Sequence, residues 1–394
     1  MSHEFQSFEV KPLPAKFKKI AYGLFFIGLV LSVLAFVVDS HRALANYDVI
    51  IALLVSVSVG NLFLFSIEYL SGAVWSTVMR RVNEIFITFV PFVFVIGLVI
   101  VFNTHSIFHW AHEEAVKTDK LLQSKSPYLN QTFFTIRYFV YFFAWSLFAF
   151  LMTKNSLKQD ESKDQLLTYK NSKLSAVFIP IFAITLTFFS IDFLMSTEPH
   201  WYSTIFGVYY FSGTVLAALS VLTLAIIFLY EKGYFGNVLR RDHFYNLGAL
   251  LFAFINFWAY IAFSQFLLIW YANLPEETFW MIHRWQNGWE IFSFILIFGH
   301  FLIPYFSLLS QQAKSNLSRL KFMAAWILLM HYIDLYWLVM PSLYKEIVFG
   351  WIEISFIIFA VGLMLVLFIW RYNKLKNLVP VGDPKIKRSL EFHL

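Results

Sequence analysis

Ten long apolar runs, at 20–38, 49–70, 84–103, 133–152, 175–195, 203–230, 246–271, 286–309, 322–341 and 348–370, dominate this sequence. Each is about as long as a helix must be to cross a hydrocarbon core of about 30 Å at about 1.5 Å per residue. In that solvent every backbone N–H and C=O must be satisfied within the segment, so the expected fold is an all-α integral membrane protein with ten transmembrane helices. Composition agrees: 59% of residues are hydrophobic and 14% charged, against roughly 45–50% and about 25% in soluble domains, which excludes a soluble enzyme. The connections are too short for a separate folded domain, so the expected division is an N-terminal segment 1–19, a ten-helix domain 20–370 and a C-terminal tail 371–394. Residues 1–19 carry four lysines and two glutamates, and no small-residue cleavage site follows the first run, so that run is expected as a retained helix rather than a signal peptide.

Lysine and arginine sort between alternate connections. The N-terminus, 71–83, 153–174, 231–245, 310–321 and the C-terminus hold 23 of the 30 cations. The other side has only Arg42, Lys117, Lys120, Lys125, Arg137, Arg284 and Lys345. Because positive charge resists translocation, this asymmetry predicts both termini in the cytoplasm, and an even number of spans is what two ends on one side require. The net charge of +6 sits where that rule puts it and gives no reason to expect a nucleic-acid partner. Tryptophans gather near helix ends on the cation-poor side (Trp110, Trp201, Trp270, Trp280, Trp285, Trp289, Trp351) as interfacial anchors would. No cysteine occurs, which removes disulfides, thiolate-held iron–sulfur clusters and covalent c-type haem together. A redox cofactor would be non-covalent or belong to a partner.

An ionisable group in hydrocarbon costs at least about 2.5–3.5 kcal/mol and needs a reason. On the second span Ser58, Asn61, Glu68 and Ser71 share a helical face; Thr185 and Asp192 repeat the pattern on the fifth; Asn256, Tyr260 and Ser264 fall at four-residue steps on the seventh. Glu290, Ser293 and His300 lie on the eighth, and His331 and Asp334 are one turn apart on the ninth. Counting helical rise from the nearest cation-rich boundary puts Glu68, His300 and His331 at one level near the middle of the membrane. Asp192, Glu198, His200, Glu290 and Glu353 belong near the far side. Carboxylates, imidazoles and hydroxyls at successive depths suit proton transfer, with Glu68, Asp192, His300, His331, Asp334 and Tyr260 as candidates. The alternative is that these groups join helices through hydrogen bonds, and Glu290, Glu353, Glu198 and His200 could simply be wetted at the interface. His105, His109 and His112 have helical spacing but no carboxylate of fixed geometry to complete a metal site. His300 and His331 are a lone histidine pair with no further pattern for haem.

Three blocks, SIDFLMSTEPHWYSTIFGVYYFSG at 190–213, FWAYIAFSQFLLIWYANLPEET at 257–278 and HYIDLYWLVMP at 331–341, resemble the polysulfide-reductase-C/NrfD-like membrane subunits of alternative complex III. The similarity runs over most of the spans and is to the second of that complex's two large ten-span subunits. It implies a quinol:cytochrome c (or high-potential iron–sulfur protein) oxidoreductase of the bacterial respiratory chain, and with it a bacterial inner membrane as the location. It also implies two four-helix bundles, spans two to five and six to nine, with the first and tenth helices peripheral. Implied partners are an NrfD-like sister subunit, an iron–sulfur subunit, multihaem cytochrome subunits and a terminal oxidase, besides membrane lipids, with haems and clusters only in those partners. The resemblance suggests a proton half-channel near Glu68, His300, His331 and Asp334. Were this chain to bind quinol itself, Asp192, Glu198 and His200 could take its two protons. The leading expectation is thus a subunit without its own redox centre that gives structural support and a proton path, followed by a quinol-binding redox subunit, and then a secondary transporter, against which the scarcity of Gly/Pro breaks in the spans argues.

Overall fold

The computed structural model describes residues 8–393. Among them are ten helices long and apolar enough to cross a membrane: α1 Ala15–Val38, α2 Ser40–Ser71, α3 Thr77–Phe102, α4 Gln131–Ser162, α5 Leu166–Thr197, α6 Phe206–Glu231, α7 Arg241–Ala272, α8 Trp289–Ser307, α9 Leu317–Leu343 and α10 Trp351–Tyr372. No strand occurs among the described residues beyond one isolated bridge, Glu9 to Asn377. This is the architecture of a multi-pass membrane protein. Apolar side chains point outward, among them Phe26, Val37, Phe143 and Phe306 at 60–80% exposure, as a lipid-facing surface requires.

Polar residues set the helix ends. Asp39 caps α2 by accepting from the Arg42 N–H at 3.0 Å, and Asn130 and Asn316 do the same for α4 and α9. Gly72, at φ +66°, ends α2 and returns its N–H to the Glu68 carbonyl. α8 departs from α-geometry: a π-helical turn covers Leu296–Leu302, and the Trp326 indole of α9 donates to the Gly299 carbonyl at 2.7 Å. Such turns leave carbonyls misaligned and able to accept from outside the helix.

α2 and α6 are the most enclosed helices, followed by α9, and the three pack on one another. α2 also touches α3 and α5, and α4 touches both of those; α6 also touches α7, and α8 touches both α7 and α9. α1 and α10 pair with each other and lean on α2. Their contact depends on glycine. A Cβ added at Gly28 would lie 2.4 Å from the Phe359 nitrogen, and one at Gly362 2.4 Å from the Phe25 nitrogen, so the backbones touch. Gly28→Val should therefore separate the pair and cost about 1–3 kcal/mol, read as a lower thermal midpoint in detergent. Gly23→Val, whose Cβ would meet nothing within 4 Å, is the control that should leave it unchanged.

Alternate connections gather at two ends. At the cation-rich end Lys321 pairs with Glu231 at 2.6 Å, Lys376 with Glu161 at 2.7 Å, and the Tyr234 hydroxyl donates to the Pro12 carbonyl. At the cation-poor end Arg42 pairs with Glu353, and the Lys125 ammonium donates to the Pro199 carbonyl. The segment after α10 packs back on the body instead of trailing from it: Ser389 accepts from the Val78 N–H, Asp383 is buried, and a Cβ at Gly382 would fall 1.9 Å from the Gln159 carbonyl oxygen.

Candidate functional site

Membrane carboxylates divide by whether an arginine holds them. Glu68 accepts from the Arg80 Nε at 2.7 Å, and Arg80 also donates to Asp383 and to the Tyr69 hydroxyl. Glu68 does not share a level with His331, whose ring lies against Ser56, more than three turns earlier on the same helix. α2 ends at Ser71, only three residues beyond Glu68, and the turn that follows folds Arg80 back beside the carboxylate, which a straight helical rise cannot anticipate. A cavity of about 480 Å³, lined by Glu68, Arg80, Asn83 and Asn246, opens there. Arg81 is held by Glu84, by Asp160 at 2.7 Å and by the Ser156 carbonyl at 2.8 Å.

At the other end Asp192 takes two parallel hydrogen bonds from Arg137, both 2.8 Å, and a third from the Tyr141 hydroxyl. Its acceptor capacity is committed to a bidentate pair, so it is poorly placed to take a quinol's proton. Glu353 is fully buried, not wetted: it accepts from Arg42 at 2.8 and 2.6 Å, from Asn46 at 2.9 Å and from the Gly350 N–H. Glu290 binds the Gly288 N–H at the start of α8. His200 pairs with Asp119 at 2.5 Å and stands 3.7 Å from Glu198, in a polar cavity of about 530 Å³ shared with His41, His105, His109 and His112. Burial pushes the Glu198 carboxyl above its usual range, with the nearby His200 pulling it back. Among the described residues no three histidine or carboxylate side chains assemble as a metal site.

Two fully enclosed carboxylates inside the spans have no arginine, Asp334 on α9 and Asp48 on α2. Asp334 accepts from the Tyr209 hydroxyl and from the Trp258 indole at 3.0 Å, all three residues being buried. One turn earlier, His331 Nε2 lies 3.1 Å from Ser56 Oγ, while its Nδ1 has no partner. Gly213 makes room for that ring: a Cβ there would sit 2.6 Å from His331 Cε1 and Nδ1. His300, in the π-turn, is fully buried 4.0 Å ring to ring from Trp258, and neither ring nitrogen has a partner.

The second carboxylate is Asp48. Fully buried on α2, it has no hydrogen-bond partner at either oxygen among the described residues. Asp48, Ala52 and Ser56 recur at four-residue steps and so share one face. The Tyr210 hydroxyl donates to the Ala52 carbonyl at 2.7 Å and lies 3.1 Å from Ser56 Oγ, which is 3.3 Å from Thr214 Oγ1. Tyr210, Ser56 and His331 thus form a hydrogen-bonded run, and Asp48 stands two turns before Ser56 on the same face of α2 without a bond to it. Beyond that run toward the cation-rich end, Asn61, Ser220 and Thr223 keep buried oxygens unpartnered along α2 and α6. Sequence reasoning missed Asp48 because it stands one residue before the apolar run at 49–70, although its spacing to Ser56 was available. Tyr260 is corrected in the other direction: it is 66% exposed on the outer face of α7 and joins none of these groups.

No family model and no curated protein matches this sequence.

Proposed function

We propose that this chain is an integral subunit of a respiratory quinol:cytochrome c oxidoreductase of the alternative complex III type, resembling its ActF subunit. It has no redox centre of its own and contributes a proton path and structural support. The complex resides in a bacterial cytoplasmic membrane, with both termini on the cytoplasmic side. The three sequence blocks support the family. The contacts of α2 through α5 and of α6 through α9, with α1 and α10 outside, fit two four-helix bundles. The observation that carries the proton path is the hydrogen-bonded run Tyr210–Ser56–His331, with Asp48 two turns before Ser56 on the same face of α2 and Asp334 one turn after His331 on α9. Hydroxyl and imidazole groups within hydrogen-bonding reach can pass a proton by successive donation and acceptance, and an unclamped carboxyl on the same helical face is a group that can supply or take it. Arginine-held carboxylates at both ends serve as clamps, because a proton added to Glu68 or Asp192 would have to displace a charge-assisted bond.

Two experiments test this. Extraction in mild detergent should bring down multihaem cytochrome and iron–sulfur subunits with the chain; a chain that elutes alone and transports a solute would replace the assignment with a transporter. In the intact complex Asp334→Asn should lower the protons translocated per electron while quinol oxidation persists. An unchanged ratio would return Asp334 to helix packing, where its bonds to Tyr209 and Trp258 already give it a role.

A further inference from the structure

α4 and α10 both end at the cation-rich side, and α3 touches each of them. Between the three runs a groove of about 730 Å³, within the roughly 300–1,000 Å³ typical of ligand sites. Its two halves differ. Deeper in the spans the wall is apolar, with Pro91 and Phe92 from α3 and Ala149 and Phe150 from α4. Phe150 is 60% exposed and Phe92 37%, so this half opens on the lipid-facing surface. Toward the helix ends the wall carries Lys154 and Lys158 from α4 and Arg371 from α10. Phe150, Lys154 and Lys158 follow at four-residue steps, which puts a ring and two ammonium groups on one face of α4 in order from interior to end. Among the described residues no carboxylate pairs with any of the three cations. The acids nearby are already committed. Glu161, at the edge of the groove, pairs with Lys376 at 2.7 Å. Glu84, whose charge acts on Arg371, is held by Arg81 and by the Ser156 hydroxyl at 2.6 Å, and Arg81 itself repels Arg371.

We propose that this groove holds an anionic glycerophospholipid from the leaflet at the cation-rich end, its phosphate between Lys154, Lys158 and Arg371 and its acyl chains along Phe92 and Phe150. Arg371 is partly buried at the edge of the hydrocarbon, where a cation without a counter-anion is costly. The chain supplies no free carboxylate there, so the anion comes from outside it. The wall has the order of such a lipid: charge at the helix ends, where phosphates lie, and apolar surface deeper in. The lysine stems cover apolar surface while their ammonium groups reach the phosphate level. A free phosphate would leave the apolar half unfilled. An uncharged lipid would leave three cations unpaired, and a zwitterionic one brings an ammonium that those cations repel. The inference concerns this surface alone and does not depend on the proposed function.

The test is photolabelling of the full chain, with whatever subunits accompany it, in phosphatidylcholine nanodiscs containing a phosphatidylglycerol that carries a diazirine in one acyl chain. Label should map to 88–92, 146–158 and Trp370, above the level on other lipid-facing helices. Phosphatidylcholine bearing the same diazirine should show no such preference. Lys154→Gln, Lys158→Gln and Arg371→Gln should each raise half-saturation about fivefold, the usual worth of one cation near an anionic lipid surface, with each variant eluting from gel filtration as the parent does. Lys170→Gln, which removes an exposed cation on α5 outside the groove, should leave half-saturation unchanged. Inorganic phosphate in millimolar excess should not compete. Equal labelling by both lipids, or an equal effect of Lys170→Gln, would overturn the site in favour of apolar contact or of a general surface potential. Competition by phosphate would make it a free-anion site. Labelling of the isolated chain that disappears in the intact assembly would give the groove to a neighbouring subunit instead of a lipid.

Discussion

Arg80→Leu should destabilise the protein by about 3–5 kcal/mol, the cost of removing one partner from a buried ion pair, read by unfolding in mixed detergent–dodecyl sulfate micelles. Arg80 is 1% exposed and lies between Glu68, 6% exposed, and Asp383, 2% exposed. Its loss would leave Glu68 without its paired cation, with only the unbonded Lys385 nearby, and would release Asp383 from the helices it ties to the C-terminal segment. Combining Arg80→Leu with Glu68→Gln and Asp383→Asn should recover most of the loss, because the penalty belongs to unpaired charge and not to the missing guanidinium volume. A single variant as stable as the parent would show that water reaches both carboxylates and that the cation-rich mouth is open.

The same reasoning separates the rest of the polar inventory. Arg42 with Glu353, Arg81 with Glu84 and Asp160, and Arg137 with Asp192 each join segments far apart in sequence or hold a helix end. Such pairs gain from geometry and neutrality, and removing either partner would strand a buried charge. Asp48, Asp334, His300 and His331 have neutral partners or none. The arginine-held carboxylates thus tie segments together, whereas Asp48 and Asp334 do not.

How far the sequence could be read follows from what each feature depends on. Ten spans were legible because hydropathy belongs to a segment by itself, and ten such helices form. Their ends were less so: α2 starts at Ser40 rather than near 49, because His41, Arg42, Asn46 and Asp48 interrupt the apolar run while the helix continues through them. Those polar residues are tolerated since Arg42 and Asn46 are taken up by Glu353, three hundred residues later, a partner that no local window contains. Four-residue spacing placed Tyr260 on a helical face but could not say which face turns inward. Cations were counted for orientation, and that count hid their second use as clamps on Glu68 and Asp192. His331 and Asp334 were legible as a pair one turn apart; Tyr209, Trp258 and Ser56, which complete their surroundings, come from three other helices.

Asp48→Asn should produce the opposite outcome to Arg80→Leu: function lost, fold kept. The amide has the size of the carboxyl and carries no charge, so it relieves the cost of an unpaired buried acid and should leave unfolding unchanged or shifted toward greater stability. It can neither take up nor release a proton. If Asp48 supplies protons to the run Tyr210–Ser56–His331, transfer along it should slow by about 10²–10⁴-fold, the usual contribution of a positioned acid or base. The protons translocated per electron should then fall while quinol oxidation in partner subunits continues. Ser56→Ala, which removes the hydroxyl between Tyr210 and His331, should reproduce that loss without touching a charge, and a variant at Glu68 should not, since Arg80 already commits that carboxylate. If both Asp48→Asn and Ser56→Ala kept the parental ratio, the unpartnered groups at the meeting of α2, α6 and α9 would be packing, and the path would have to be sought outside this chain.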